Sequence, residues 1–204
     1  MSKTEKIMVG LPVYGSVPAQ TFKSYTGFLL YAKSKYNIMP LVVDSTTLCM
    51  ARNIIVTNFL KTDADYLLFL DSDMIYPKET IDNLIKHDKD FVSALYYSRT
   101  YPAPCLKIIK DDVYCNIKEF PKGVLLPVDA VGLGTALIKR KVIEKVSENV
   151  GDNPMFKNDY SGKLDLIGED VYFCKLVKEA GFKIYVDTGF EVGHFGGIID
   201  SNYY

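Results

Sequence analysis

The chain has 204 residues, of which 48% are hydrophobic and 24% charged, and its formal net charge is −1. That length fits one domain able to bury a substantial core. So even a charge balance excludes a broad basic surface for nucleic acid or anionic membrane, and no apolar run reaches the roughly 20 residues of a membrane span.

The first six residues lead straight into a strand-like segment, without the apolar stretch and small-residue cleavage site of a secretory signal. A cytoplasmic location is the expectation. Cys49, Cys105, Cys115 and Cys174 form no Cys-x-x-Cys pair, so free thiols are expected rather than a zinc site.

Residues 7–12 read as a buried strand, 13–16 as the loop after it, and 18–36 as a helix with Phe22, Tyr25, Phe28, Leu29 and Ala32 on its apolar side. A second strand covers 38–43 and ends at Asp44. The helix over 48–60 has Ser45, Thr46 or Thr47 available as N-cap and turns Ile54, Ile55 and Phe59 inward. Residues 66–70 (Tyr-Leu-Leu-Phe-Leu) form a short apolar run suited to a strand buried on both faces. It stops abruptly at Asp71-Ser72-Asp73. Pro77 suits the opening of a third helix, over 77–87, and a fourth strand follows over 90–95.

Strands alternating with helices predict an α/β fold with a mainly parallel sheet. Ligands of such sheets bind outside the carboxyl ends of the strands, and Tyr14, Asp44, Asp71 and Asp73 all fall there. The second half changes character. Residues 105–109 and 113–117 read as an antiparallel hairpin added to the sheet, and 128–138 as a strand broken by Gly132 and Gly134. The aromatic run at 96–101 is read as core or interface in preference to an acceptor surface. A helix over 140–149 precedes a polar stretch at 151–162 with the character of a lid. Gly168-Glu169-Asp170 opens a helix over 171–180, which Gly181 ends, and a strand over 182–186 leads to Gly193-His194.

Several of these groups carry chemistry. Extended backbone points residues two apart the same way, so Asp71 and Asp73 can aim at one object. Two like charges there call for a divalent cation such as Mg2+ or Mn2+; the structural alternative is a polar strand end. Glu169 and Asp170 complement a helix dipole, or one of them serves as a base beneath the lid. His194 lies among glycines that permit close backbone approach, and a neutral imidazole completes carboxylate metal sites. Arg52 is a solvated surface charge by composition, or a fork for phosphate oxygens. Gly132-x-Gly134 has little specificity by itself.

Taken in order, Ala51-Arg52-Asn53, the run from Leu68 to Met74 around Asp71-Ser72-Asp73, Gly132-x-Gly134-Thr135, Gly168-Glu169-Asp170 with its helix, and Gly193-His194-Phe195-Gly196 resemble small family-2-like GT-A glycosyltransferases of prokaryotes and their viruses. The resemblance runs over residues 7–197. It implies a single GT-A domain over 1–204, with a nucleotide-binding half at 1–95 and an acceptor and catalytic half at 96–204. It implies transfer of a sugar from a nucleotide-sugar donor to a glycan or protein acceptor. By position, Asp71, Asp73 and His194 match the residues that hold Mn2+ or Mg2+. Asp170, with Glu169, matches the catalytic acidic pair. Pro12, Tyr14, Asp44, Arg52, Asp71, Gly134 and Thr135 match the donor-binding edge. Two departures are that tryptophan is absent from these residues and that a transmembrane or long C-terminal module is not expected. The alternatives are a nucleotidyltransferase, against which the lack of a basic residue in the loop from Gly10 to Gly15 counts, and a non-catalytic nucleotide-sugar binding module.

Overall fold

The structure is a computed structural model, and it describes residues 4–44, 46–99, 103–159 and 167–195. Its first half alternates as expected: β1 (Lys6–Pro12), α1 (Ala19–Lys33), β2 (Asn37–Val43), α2 (Leu48–Leu60), β3 (Tyr66–Leu70), a two-residue β4 (Met74–Ile75), α3 (Thr80–Ile85) and β5 (Phe91–Leu95). The second half supplies β6 (Leu106–Lys110), β7 (Val113–Asn116), β8 (Leu125–Val128), β9 (Ala130–Val131), β10 (Thr135–Lys139), α4 (Arg140–Val150), α5 (Glu169–Glu179), β11 (Ile184–Glu191) and β12 (Gly193–His194).

Seven strands form the central sheet in the order β2-β1-β3-β10-β5-β11-β8. β1 pairs parallel to both β2 and β3, and β11 pairs parallel to β5. β10 lies antiparallel between β3 and β5, and β8 runs antiparallel at the edge. The fold is mixed α/β, with a mainly parallel sheet flanked by helices and two small antiparallel sheets. Leu67, Leu68, Phe69 and Leu70 are all fully buried. Each such side chain contributes about 1.5–3 kcal/mol when removed from water, which makes β3 the spine of the core.

Several expectations need correction. The hairpin β6–β7 does not extend the central sheet; it pairs with β9 in a sheet of its own. Residues 128–138 are not one strand. The backbone turns between β9 and β10, so one piece joins the hairpin and the other enters the central sheet. α3 begins three residues after Pro77, whose carbonyl accepts from the Thr80 N–H and hydroxyl. Phe22 and Ile54 point to solvent, although their helices were read with them inside.

α2 spans the expected residues, because Thr47 caps it: its hydroxyl accepts from the Met50 N–H at 3.3 Å. Ser45 lies outside the described residues. The lid reading fails at Met155 and Phe156. Asn53 accepts from both of their N–H groups and donates to the Phe156 carbonyl, and the Phe156 ring stacks on Phe173 at 4.5 Å. Residues 160–162 of that stretch lie outside the described residues, as do 100–101 of the aromatic run. In that run Tyr96 and Tyr97 are buried.

Candidate functional site

The parallel strands β1, β2, β3, β5 and β11 present their carboxyl ends to one edge of the sheet, where a crevice of about 290 Å3 opens. Pro12, Val13 and Tyr14 form one wall and Thr46, Leu48 and Ala51 another. Asp71, Ser72, Asp73, Arg99 and His194 form the polar end. Tyr14 is 83% exposed at the lip. Asp44 is exposed at the end of β2 and is not one of the crevice's lining residues.

His194 reaches the crevice through the backbone. β12 pairs with β4, so that His194 lies opposite Met74, and the Phe195 N–H donates to the Asp73 carbonyl at 2.6 Å. Glycine at 193 permits this, since a Cβ there would come within 3.2 Å of Ile75. His194 Nε2 consequently stands 3.4 Å from Asp73 Oδ2. Its Nδ1 lies 2.8 Å from the Tyr97 carbonyl, which can only accept, so Nδ1 carries a proton. With Nε2 protonated as well, the ring donates to Asp73; with Nε2 bare, its lone pair and the carboxylate face one point that suits a cation. Burial raises the Asp73 pKa, but the His194 hydrogen bond, with Arg99 nearby, outweighs this and holds it below the ordinary range. Arg99 Nη1 forms an ion pair with Asp73 Oδ2 at 3.0 Å.

Asp71 and Asp73 do not share one partner. The strand ends at Leu70 and the chain turns through Ser72 and Asp73, so the alternation of an extended strand stops before the pair. Asp71 Oδ1 instead accepts from Arg52 Nη2 at 2.8 Å. Arg52 is 2% exposed, not a solvated charge. Its Nη1 donates to Glu169 Oε1 at 2.5 Å, while its Nε has no hydrogen-bond partner among the described residues. One guanidinium thus ties the end of β3 to the start of α5.

Asp170 stands beside this cluster. Its Oδ1 accepts from the Val171 N–H at 2.7 Å, and a Cβ on Gly168 would lie 3.0 Å from that same oxygen. Burial raises its pKa against the opposing pull of Arg52, and the charge on Asp71 adds to the rise. Glu169 is raised too, by burial first and by Asp170, again against Arg52.

Gly134 and Thr135 lie under the crevice, not in its lining. Thr135 is fully buried, and its hydroxyl donates to the Gly134 carbonyl at 2.7 Å. The glycines answer to a buried phenol: a Cβ at Gly132 would lie 2.1 Å from the Tyr96 hydroxyl, and one at Gly134 would meet Tyr96 and Asp71 Oδ2. The Gly134 N–H donates to that hydroxyl at 3.0 Å. Tyr76 donates to the Asp71 and Gly134 carbonyls. Tyr76, Tyr96 and Arg99 escape sequence reasoning because tyrosine and arginine in loops have many roles. Tyr96-Tyr97-Ser98-Arg99 directly after a strand end was the signal available.

Among the described residues no three His, Cys, Asp or Glu side chains converge as a complete metal site. The pair Asp73 and His194 still offers one hard oxygen and one imidazole nitrogen on the same crevice. Mg2+ in particular is held by one or two protein ligands, with waters and substrate phosphates completing its shell. The donor set fits a divalent cation shared with a phosphorylated ligand.

Comparison with known proteins bears on the fold. The Anp1 family model, a glycosyltransferase-like family, matches residues 45–105, which include α2 and the Asp71 to Asp73 turn. No curated protein sequence matches the chain. The crystal structure of A197 from STIV superposes with a TM-score of 0.63 at 23% identity, covering 93% of this chain and 85% of that one. GalNAc-T7, solved with UDP, GalNAc and Mn2+, gives 0.61 at 10% identity; 98% of this chain aligns with only 46% of GalNAc-T7. The inositol-1-phosphate CTP transferase from T. maritima gives 0.51 at 9% identity, covering 100% of this chain and 95% of that one. No helix among the described residues is long and apolar enough to cross a membrane. The architecture is that of a GT-A-type fold, which this chain has in common with a glycosyltransferase.

Proposed function

We propose that the protein is a metal-dependent glycosyltransferase that moves a sugar from a nucleotide-diphosphate donor to an acceptor hydroxyl. The observation that carries this reading is the approach of His194 to Asp73 at the carboxyl edge of the sheet, 3.4 Å apart though 121 residues separate them. Pro12, Val13, Tyr14, Leu48 and Ala51 wall the part of the crevice that takes the nucleoside. Asp73 and His194 hold the cation. When bound, Mn2+ or Mg2+ supplies Lewis-acid neutralisation of charge on the departing diphosphate.

Asp170 takes the proton of the acceptor hydroxyl. It forms no ion pair among the described residues, and its raised pKa makes it a stronger base than an ordinary aspartate. Glu169 is less suited, because Arg52 occupies it. Arg52 therefore orients the acidic pair from below and does not meet the donor. Asp71 shares that guanidinium and lines the crevice floor.

The fold shared with a CTP transferase favours one second reading, a nucleotidyltransferase. The two differ in what leaves. Incubation with Mn2+, a panel of nucleotide sugars and candidate acceptors should release a nucleoside diphosphate, and EDTA should abolish that release. Pyrophosphate release from a nucleoside triphosphate would establish the rival reaction. Full sugar transfer in EDTA would overturn the metal assignment, and donor binding without turnover would leave a binding module.

A further inference from the structure

We propose that Arg99 is an exchanging counter-ion, paired with Asp73 while the crevice is empty of donor and transferred to the donor's diphosphate once a cation binds. The proposal rests on the reading above and adds a residue that the motif comparison did not single out. Three observations carry it. First, Arg99 Nη1 and His194 Nε2 address the same oxygen, Asp73 Oδ2, at 3.0 and 3.4 Å. A divalent ion held by Asp73 and His194 would compete with Arg99 for the Asp73 carboxylate, since such ions take carboxylate oxygens as ligands, and its charge would repel a guanidinium held beside it. Second, the Arg99 side chain is 51% exposed. The pair it would surrender is of the kind worth little in water, so displacement is easy. Third, Arg99 lines the same crevice as Pro12, Tyr14 and Leu48, and a guanidinium fork matches phosphate oxygens in geometry and charge.

The consequence is a split in sign. Arg99 competes with the cation when no nucleotide is present, yet supports the nucleotide once the cation is in place. Removing it should help one ligand and harm the other, which a merely structural residue would not do. The ion pair also keeps Asp73 neutralised in the empty protein, which lowers the cost of two acidic side chains at a half-buried edge.

The experiment measures Mn2+ affinity by the electron paramagnetic resonance signal of the free ion, and then nucleoside diphosphate affinity by calorimetry at saturating Mn2+. The probes are UDP, GDP, CDP and dTDP, and the variants are R99Q and R99K, with circular dichroism to confirm folding. In R99Q the Mn2+ dissociation constant should fall about two- to fivefold, the scale of an exposed ion pair. The dissociation constant of the bound diphosphate should rise about tenfold or more, the scale of a lost charge-assisted contact. R99K, which keeps the charge without the fork, should bind Mn2+ as the wild type does and recover part of the diphosphate affinity. Unchanged or weaker Mn2+ binding in R99Q, or unchanged diphosphate binding, overturns the exchange while the glycosyltransferase reading stands. A wild-type protein that binds neither Mn2+ nor any of the four diphosphates overturns both.

Discussion

Asp170 shows how a single carboxylate can be costly to the fold and useful to the chemistry. Burial raises its pKa, and Arg52 only partly opposes the rise. An acid whose folded pKa is raised contributes stability below its unfolded pKa, near 3.9, and loses it as pH climbs through the folded value. At pH 8 the ionised group is therefore a net burden. Asp170→Asn removes the charge while its side-chain oxygen still accepts from Val171. The melting temperature at pH 8 should stay level or rise, while turnover falls about 10²–10⁴-fold and nucleoside diphosphate affinity persists. A fall in both melting temperature and binding would make Asp170 a structural helix-start residue. The same raised pKa places the acidic limb of the wild-type kcat/KM profile above the range of an ordinary aspartate.

At the scale of elements, the crevice floor depends on two strand ends that must nearly touch. The Asp71 N–H donates to the Gly134 carbonyl at 3.1 Å, and the Tyr76 and Tyr96 hydroxyls brace the junction. Gly132→Ala would drive a methyl into the Tyr96 hydroxyl, an overpacking worth about 1–3 kcal/mol. Tyr96→Phe strands the Gly134 N–H at a similar cost of about 1–3 kcal/mol. Because the second change clears space for the first, the double variant should lose less stability than the sum, by roughly 0.5–3 kcal/mol. Urea unfolding of the four proteins measures this, and strict additivity would sever the link. Gly132-x-Gly134 was a pattern of little specificity in the sequence, and nothing in it foretold that the Tyr96 side chain crowds both glycines. Local patterns foretold α2 at both ends, since Thr47 and the apolar spacing lie within a few residues of each other. They could not foretell that β10 inserts antiparallel between β3 and β5, because pairing partners are set by distant chain. His194 was legible through Gly193, whose missing side chain is a local sign of a tight crossing.

Across the whole molecule, Arg52 joins what the two halves of the chain bring to the site. Its partners Asp71 and Glu169 lie 19 and 117 residues away, which is why its burial could not be read from its own neighbourhood. A buried charge of this kind is retained only when paired, and losing one partner of such a group costs about 3–5 kcal/mol. Arg52→Met should therefore destabilise the protein on that scale at pH 8. The deficit should then shrink on acidification. Without the guanidinium, the Glu169 pKa, already raised by burial, rises further, so protonation relieves this carboxylate between its raised folded value and about pH 4. Adding Glu169→Gln to Arg52→Met removes one stranded charge and should recover part of the loss at pH 8. Urea titrations at pH 5 and pH 8 decide the matter. Equal deficits at both pH values would mean that Arg52 acts through packing against Phe69, whose ring centre lies 5.9 Å from its guanidinium carbon, and the electrostatic tie between the halves would have to be abandoned.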